Sequence, residues 1–115
     1  MATPFTISRP LGRVPTFTEL KTLAQEFEIQ ISGSEQTGIV SHPKVNGTYT
    51  FETNGDLRGD FTALVLGKIP GVFMLMAGKA EITITDKPFL LPEAGLRSKL
   101  SKGLEMFCAK FPPAP

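Results

Sequence analysis

Residues 59–85 read GDFTALVLGKIPGVFMLMAGKAEITIT, and the way this stretch pairs with itself decides the fold. Its end, AEITIT, alternates apolar and polar residues, the period of a strand with one dry and one wet face. The preceding VFMLMA carries no polar side chain. Neighbouring strands of a hairpin share the same two faces, so the alternation of the second sorts the residues of the first. A two-residue loop at Gly78-Lys79 sets Ala77 against Ala80, Leu75 against Ile82 and Phe73 against Ile84. A five-residue loop at GKIPG sets Val65 against Phe73, Ala63 against Leu75 and Phe61 against Ala77. Both alignments gather Phe61, Ala63, Val65, Phe73, Leu75, Ala77, Ala80, Ile82 and Ile84 on one face. A one-residue slip in either would turn every side chain over.

Working upstream, a three-residue loop at residues 54–56 sets Phe51 against Gly59 and Tyr49 against Phe61, with Glu52 paired to Arg58. An aromatic ring opposite a strand glycine covers backbone that would otherwise be bare. Asn46-Gly47 and Asn54-Gly55 read as turns, because both residue types tolerate positive φ. TGIVSH, residues 37–42, is a further strand stopped by Pro43, and FEIQIS begins the sheet at Phe27. Short loops throughout require antiparallel pairing, since parallel strands need long crossovers. Residues 27–86 are therefore expected to form a six-stranded antiparallel meander. No internal repeat is read in them.

Helical spacing flanks the sheet on both sides. Thr16 and Glu19 stand at capping-box spacing, followed by Phe17, Leu20, Leu23, Ala24 and Phe27, which predicts a short helix over residues 16–27. After an extended connector, KPFLLP, the apolar residues Leu96, Leu100, Leu104, Phe107 and Phe111 predict an amphipathic helix over residues 93–111. Residues 1–15, with prolines at 4, 10 and 15, read as an extended arm. Both helices need an apolar surface to cover, and the gathered face is the one available. The expected fold is a single α+β domain with both helices on one side of the sheet.

The other side of the sheet carries Arg58, Asp60, Thr62, Glu81, Thr83 and Thr85. Among these polar residues the alignments also place Leu64, Leu66, Val72, Met74 and Met76, side by side near the GKIPG turn. An apolar cluster of that kind on an uncovered face marks an interaction surface. Three occupants are weighed: the N-terminal arm, a second copy of the chain, and an apolar ligand or lipid-like surface.

The chain's 115 residues suit one domain, and its net charge of +1 gives no broad attraction for nucleic acid. No apolar run reaches the roughly 20 residues of a membrane span. The N-terminus lacks the apolar core of a signal peptide, so the expectation is a cytoplasmic protein. A lone cysteine, Cys108, excludes an internal disulfide, and its place beside the last helical stripe makes it a structural thiol. His42, the sole histidine, precedes a proline and reads as a strand-end residue. No second histidine or cysteine stands at metal-ligand spacing, the acidic residues are dispersed, and the glycines fail the phosphate-loop spacing. Catalytic residues, cofactor and metal are accordingly not expected. Arg97, Lys99, Lys102 and Lys110 form the solvated side of the last helix.

One resemblance adds to this reading. GKAEITITDKPFLLPEAGLRSKLSKGLEMF, residues 78–107, has an alternating strand, a Pro-Phe-Leu-Leu-Pro connector and a terminal amphipathic helix. GTYTFETNGDLRGDFTALVLGKIPGVFML, residues 47–75, adds the glycine-punctuated hairpins. Together they resemble the polyhydroxyalkanoic acid system family of small bacterial proteins. The resemblance implies an accessory role around polyester storage granules, not an enzymatic one, and carries over no catalytic residue. The expected function is a non-catalytic accessory or interaction protein, homodimeric through the outer face, with a granule or other apolar surface as a further partner. The alternative is a carrier for an apolar small molecule or lipid-like ligand, held between sheet and helices.

Overall fold

The computed structural model describes residues 4–64, 67–87 and 91–112. Along the chain run β1 Phe5–Arg9, α1 Phe17–Glu26, β2 Gln30–Gly33, β3 Thr37–His42, β4 Val45–Phe51, β5 Leu57–Leu64, β6 Lys68–Met76, β7 Lys79–Ile84 and α2 Glu93–Ala109. The fold is α+β, built on one antiparallel sheet in the order β1-β7-β6-β5-β4-β3-β2. The meander from β2 to β7 agrees with the sequence reading, but the sheet has seven strands, not six. The extra strand comes from residues read as an arm. In FTISR, Phe5 and Ile7 are buried while Thr6 and Ser8 are exposed, a strand period too brief to stand out between Pro4 and Pro10. It pairs with β7 as Phe5↔Ile84, Ile7↔Ile82 and Arg9↔Ala80.

β1 lies at one edge of the sheet and β2 at the other, so residues 10–29 cross from edge to edge. They cross on the inner face, where Leu11 is buried and Val14 packs against the core. α1 then lies against β2, and α2 against β1. The buried core between helices and sheet includes Phe5, Ile7, Tyr49, Leu57, Ile69, Leu75, Ile84, Leu96, Leu104 and Phe111. Cys108 joins the helical stripe as a buried residue.

The hairpin registers differ from the sequence alignments by even numbers of residues. β6 and β7 turn at Ala77-Gly78, so Leu75 opposes Ala80, Phe73 opposes Ile82 and Gly71 opposes Ile84. Gly78 takes φ +92° there. β5 and β6 pair from Leu64↔Lys68 through Phe61↔Gly71 and Gly59↔Phe73 to Leu57↔Leu75. β5 ends at Leu64 and β6 begins at Lys68, so GKIPG is mostly strand. Pro70 fits inside β6 because it stands one step past the last β6–β7 pair. Its carbonyl accepts the Thr85 N–H at 3.0 Å, and the donor it lacks falls where β7 has ended. Asn46-Gly47 is not a turn either: both residues lie within β4, and the chain reverses at Pro43-Lys44, between His42 and Val45. Asn54-Gly55 does turn, closed by the Glu52 N–H donating to the Asp56 carbonyl at 2.7 Å.

Even slips preserve faces. Phe61, Ala63, Phe73, Leu75, Ala80, Ile82 and Ile84 all belong to the inner side, buried or half-buried against the core. On that side the rings of Tyr49, Phe73 and Phe61 sit on Gly38, Gly59 and Gly71 of the neighbouring strands. A Cβ there would lie 2.5, 2.8 and 2.7 Å from the respective rings or, for Tyr49, its hydroxyl. The glycines let three bulky rings lie flat on the sheet.

Candidate functional site

The outer face is the expected site, and its residues come from alternate positions of every strand. On β6 these are Lys68, Pro70, Val72, Met74 and Met76. Val72 is 45% exposed and Leu64 43%, while Met74 and Met76 are half-buried. Leu66 lies outside the described residues. The arm does not cover this face: residues 4–15 first form the edge strand β1 and then enter the core through Leu11.

The register redraws the patch. Leu64 stands opposite Lys68, whereas Val72 stands opposite Asp60. Those positions are four residues apart on β5, or about 13 Å along the strand. Leu64 is thus separated from the methionines, and the expected side-by-side cluster does not form. What remains is an apolar row along β6, Val72, Met74 and Met76, walled by charge. Met74 lies between Arg58 on β5 and Glu81 on β7. Val72 lies between Asp60 and Thr83, and Met76 pairs with Lys79.

A shallow groove of about 450 Å³ runs across this face, lined by Thr48, Thr50, Arg58, Asp60, Val72, Met74, Glu81 and Thr83, with Gly59 and Phe73 at its floor. It lies over a break in the β4–β5 ladder. Pairs Gly47↔Phe61 and Thr50↔Arg58 flank the break, and within it the Thr48 hydroxyl donates to Asp60 Oδ1 at 2.9 Å. A Cβ on Gly59 would lie 2.0 Å from the Thr48 carbonyl oxygen, so the strands approach here as only glycine permits. Arg58 is ion-paired with Glu52, and Lys79 with Glu81 at 2.8 Å. These are exposed or half-exposed pairs with apolar side chains between them, which suits reversible contact with another surface.

Ile39, 58% exposed, also belongs to this face. It pairs with Thr48, in the row that runs on through Asp60 and Val72 to Thr83. Sequence reasoning missed it because the register of residues 37–42 was open. Its alternation with Gly38 and Val40, once Tyr49 is set opposite Gly38, is the signal that assigns it.

Two other residues were candidates for chemistry. His42 ends β3, where its Nδ1 accepts the Lys44 N–H at 3.0 Å and holds the Pro43-Lys44 turn. It borders an open notch of about 430 Å³ with Glu28, Gln30, Ser41, Pro43 and Asn46. Burial pushes the Cys108 thiol up, with Arg9 partly opposing. It therefore stays a protonated, packed thiol at neutral pH. Among the described residues no three His, Cys, Asp or Glu side chains gather to hold a metal. Among them also no helix is long and apolar enough to cross a membrane. Comparison of the chain with family models, with curated proteins and with solved structures gives no match.

Proposed function

We propose that this chain is a non-catalytic interaction protein that works through the outer face of its sheet. One observation supports this above the rest. Both helices and the crossing segment occupy the inner face, while Val72, Met74 and Met76 stand in a row on the other, between charged walls. A sheet face that the described residues leave uncovered, with an apolar row at its centre, is built to meet a surface. Methionine side chains adapt to the shape of what they meet. The accessory role around polyester granules, implied by the resemblance over roughly residues 47–111, is the cellular setting proposed for it. The test is co-sedimentation with polyester particles. Wild type should pellet with them and Val72→Lys/Met74→Lys should remain in the supernatant. Equal pelleting of both would overturn the outer face as the site, and absence of pelleting by either would overturn the granule setting.

A second reading, the carrier of an apolar ligand, rests on the middle of the inner face. Phe61, Ala63, Phe73 and Ile82 are only half-buried there. It requires saturable uptake of an apolar fluorophore, displaced by a fatty acid and unaffected by Val72→Lys/Met74→Lys. Fluorescence that never saturates removes it.

A further inference from the structure

The charges around the apolar row choose a partner. We infer that the outer face docks on a second copy of the same face, with the two-fold axis parallel to β6; this rests on the outer face being the working surface. Two sheets packing face to face keep their strands within about 30° of each other and lie about 10 Å apart. When the two faces are identical, the two-fold axis lies between them, and two simple choices exist. An axis across the strands lays each strand over its own copy in reverse. Arg58 would then face Arg58, and Glu81 would face Glu81. An axis along β6 instead exchanges the β5 side for the β7 side at each height. Because Arg58 and Glu81 flank the same residue, Met74, each arginine then meets the other copy's glutamate. Asp60 meets Thr83, which share Val72 as neighbour. Val72, Met74 and Met76 meet their own counterparts along the axis.

The pairs already made within one copy allow this. The Arg58 side chain is 58% exposed and has guanidinium donors beyond the one turned to Glu52. Glu81 gives Oε2 to Lys79, which leaves Oε1 to accept. One like-charge meeting remains, Lys68 with Lys68. It stands six residues from Met74, about 20 Å along the strand, where the twist of two aligned sheets carries their ends apart.

The edges of the sheet do not compete as docking sites. β1 has five residues and is bracketed by Pro4 and Pro10. β2 has four and ends at Gly33. Short edges, and prolines beside the β1 edge, discourage strand addition. With the axis on β6, third from one edge of the sheet, the two copies overlap over five strands, β1, β7, β6, β5 and β4, roughly 24 by 20 Å from ordinary strand spacings. That is below the area per partner of a standard interface, about 800 Å², and of the size of a weak, transient contact. Since twist keeps the corners from touching, the dimer should be reversible.

Sedimentation equilibrium of the full chain over a concentration series tests the inference. Wild type should pass from its 12.5 kDa monomer to twice that mass. Arg58→Glu alone and Glu81→Arg alone should each raise the dissociation constant about tenfold. The double variant Arg58→Glu/Glu81→Arg should return towards wild type, because the axis along β6 restores unlike pairs. The axis across the strands would keep like charges opposed, so a double variant no better than the singles overturns the inference. Thermal melts of each variant establish that it is folded. A wild type that stays monomeric throughout, while Val72→Lys/Met74→Lys still abolishes particle binding, overturns the dimer and leaves the outer face as the working surface. A dimer that persists in Val72→Lys/Met74→Lys overturns docking through this face, and the particle-binding result decides the working surface by itself.

Discussion

Glu19 closes three contacts at the start of α1. Its two oxygens accept from Arg13 Nη1 and Nη2 at 2.6 Å each, and Oε1 also accepts the Thr16 N–H at 3.1 Å. Its own N–H donates to the Thr16 hydroxyl at 3.2 Å, which completes the capping box read from the sequence. Arg13 also lies over the Phe111 ring, 5.4 Å from its centroid, so this cluster joins the crossing segment, α1 and the end of α2. The hydrogen bonds from Arg13, then the backbone bond from Thr16, hold the Glu19 carboxyl down at about 2. A carboxyl lowered in the folded state adds stability above its unfolded value, about 4.3, and that contribution disappears as the pH falls towards 2. Wild type should therefore unfold at a higher temperature than Glu19→Gln at pH 6, with the gap closing between pH 4 and pH 2. A gap that is constant with pH would mean that charge plays no part. At the other end of α1, Glu28 has φ +58°. The Ile29 N–H donates to Ala24 O at 2.8 Å and the Glu28 N–H to Gln25 O at 3.2 Å, a Schellman ending with glutamate where glycine is usual. Glu28→Gly should raise stability by about 0.5–1 kcal/mol in urea unfolding. A loss would point to a contact of the Glu28 side chain that outweighs its backbone strain.

At the scale of elements, glycine has opposite meanings in sheet and helix. A Cβ on Gly71 would lie 2.7 Å from the Phe61 ring and 2.7 Å from the Thr83 carbonyl oxygen. Gly71→Ala should thus cost about 1–3 kcal/mol. Gly103 in α2 has no such neighbour within 4 Å, and Gly103→Ala should gain about 1 kcal/mol from helix propensity. Chemical denaturation of the two variants checks both signs. The sheet glycines also show how far the sequence could be read. Gly47, Gly59 and Gly71 recur every twelve residues, each followed two positions later by Tyr49, Phe61 or Phe73. That repeat marks three successive strands of one meander, and it is hidden because Asn46-Gly47 and Pro70-Gly71 look like turns. Placing the turns there shifted the hairpins by even steps. The faces survived, since side chains alternate with period two. Neighbours do not survive: Phe51 stands opposite Leu57 and not Gly59, whose covering ring is Phe73 from β6, and Leu64 stands apart from the methionines. The face of a candidate residue is legible from alternation alone, but which residues touch across strands depends on loop length, which turn propensity leaves loose.

At the scale of the molecule, the arm that became β1 decides how the fold closes. The first and last strands of the chain lie side by side at one edge of the sheet, because β1 pairs with β7. α2 lies against β1, and the Arg97 guanidinium stands 4.5 Å from the Phe5 ring centroid. Removing residues 1–10 would strip Phe5 and Ile7, 6% and 5% exposed, from the core. It would also bare the edge of β7 and remove the strand on which α2 rests. Burial of each such side chain is worth about 1.5–3 kcal/mol, so the two together approach the low end of a small domain's stability, about 5 kcal/mol. The truncated chain should lose cooperative thermal unfolding, and the milder Ile7→Ala should cost about 2–4 kcal/mol with the transition intact. A solvated arm would predict no change from either alteration. Retention of the wild-type melting temperature by the truncated chain would mean that β7 is a sufficient edge and that α2 finds its seat without β1.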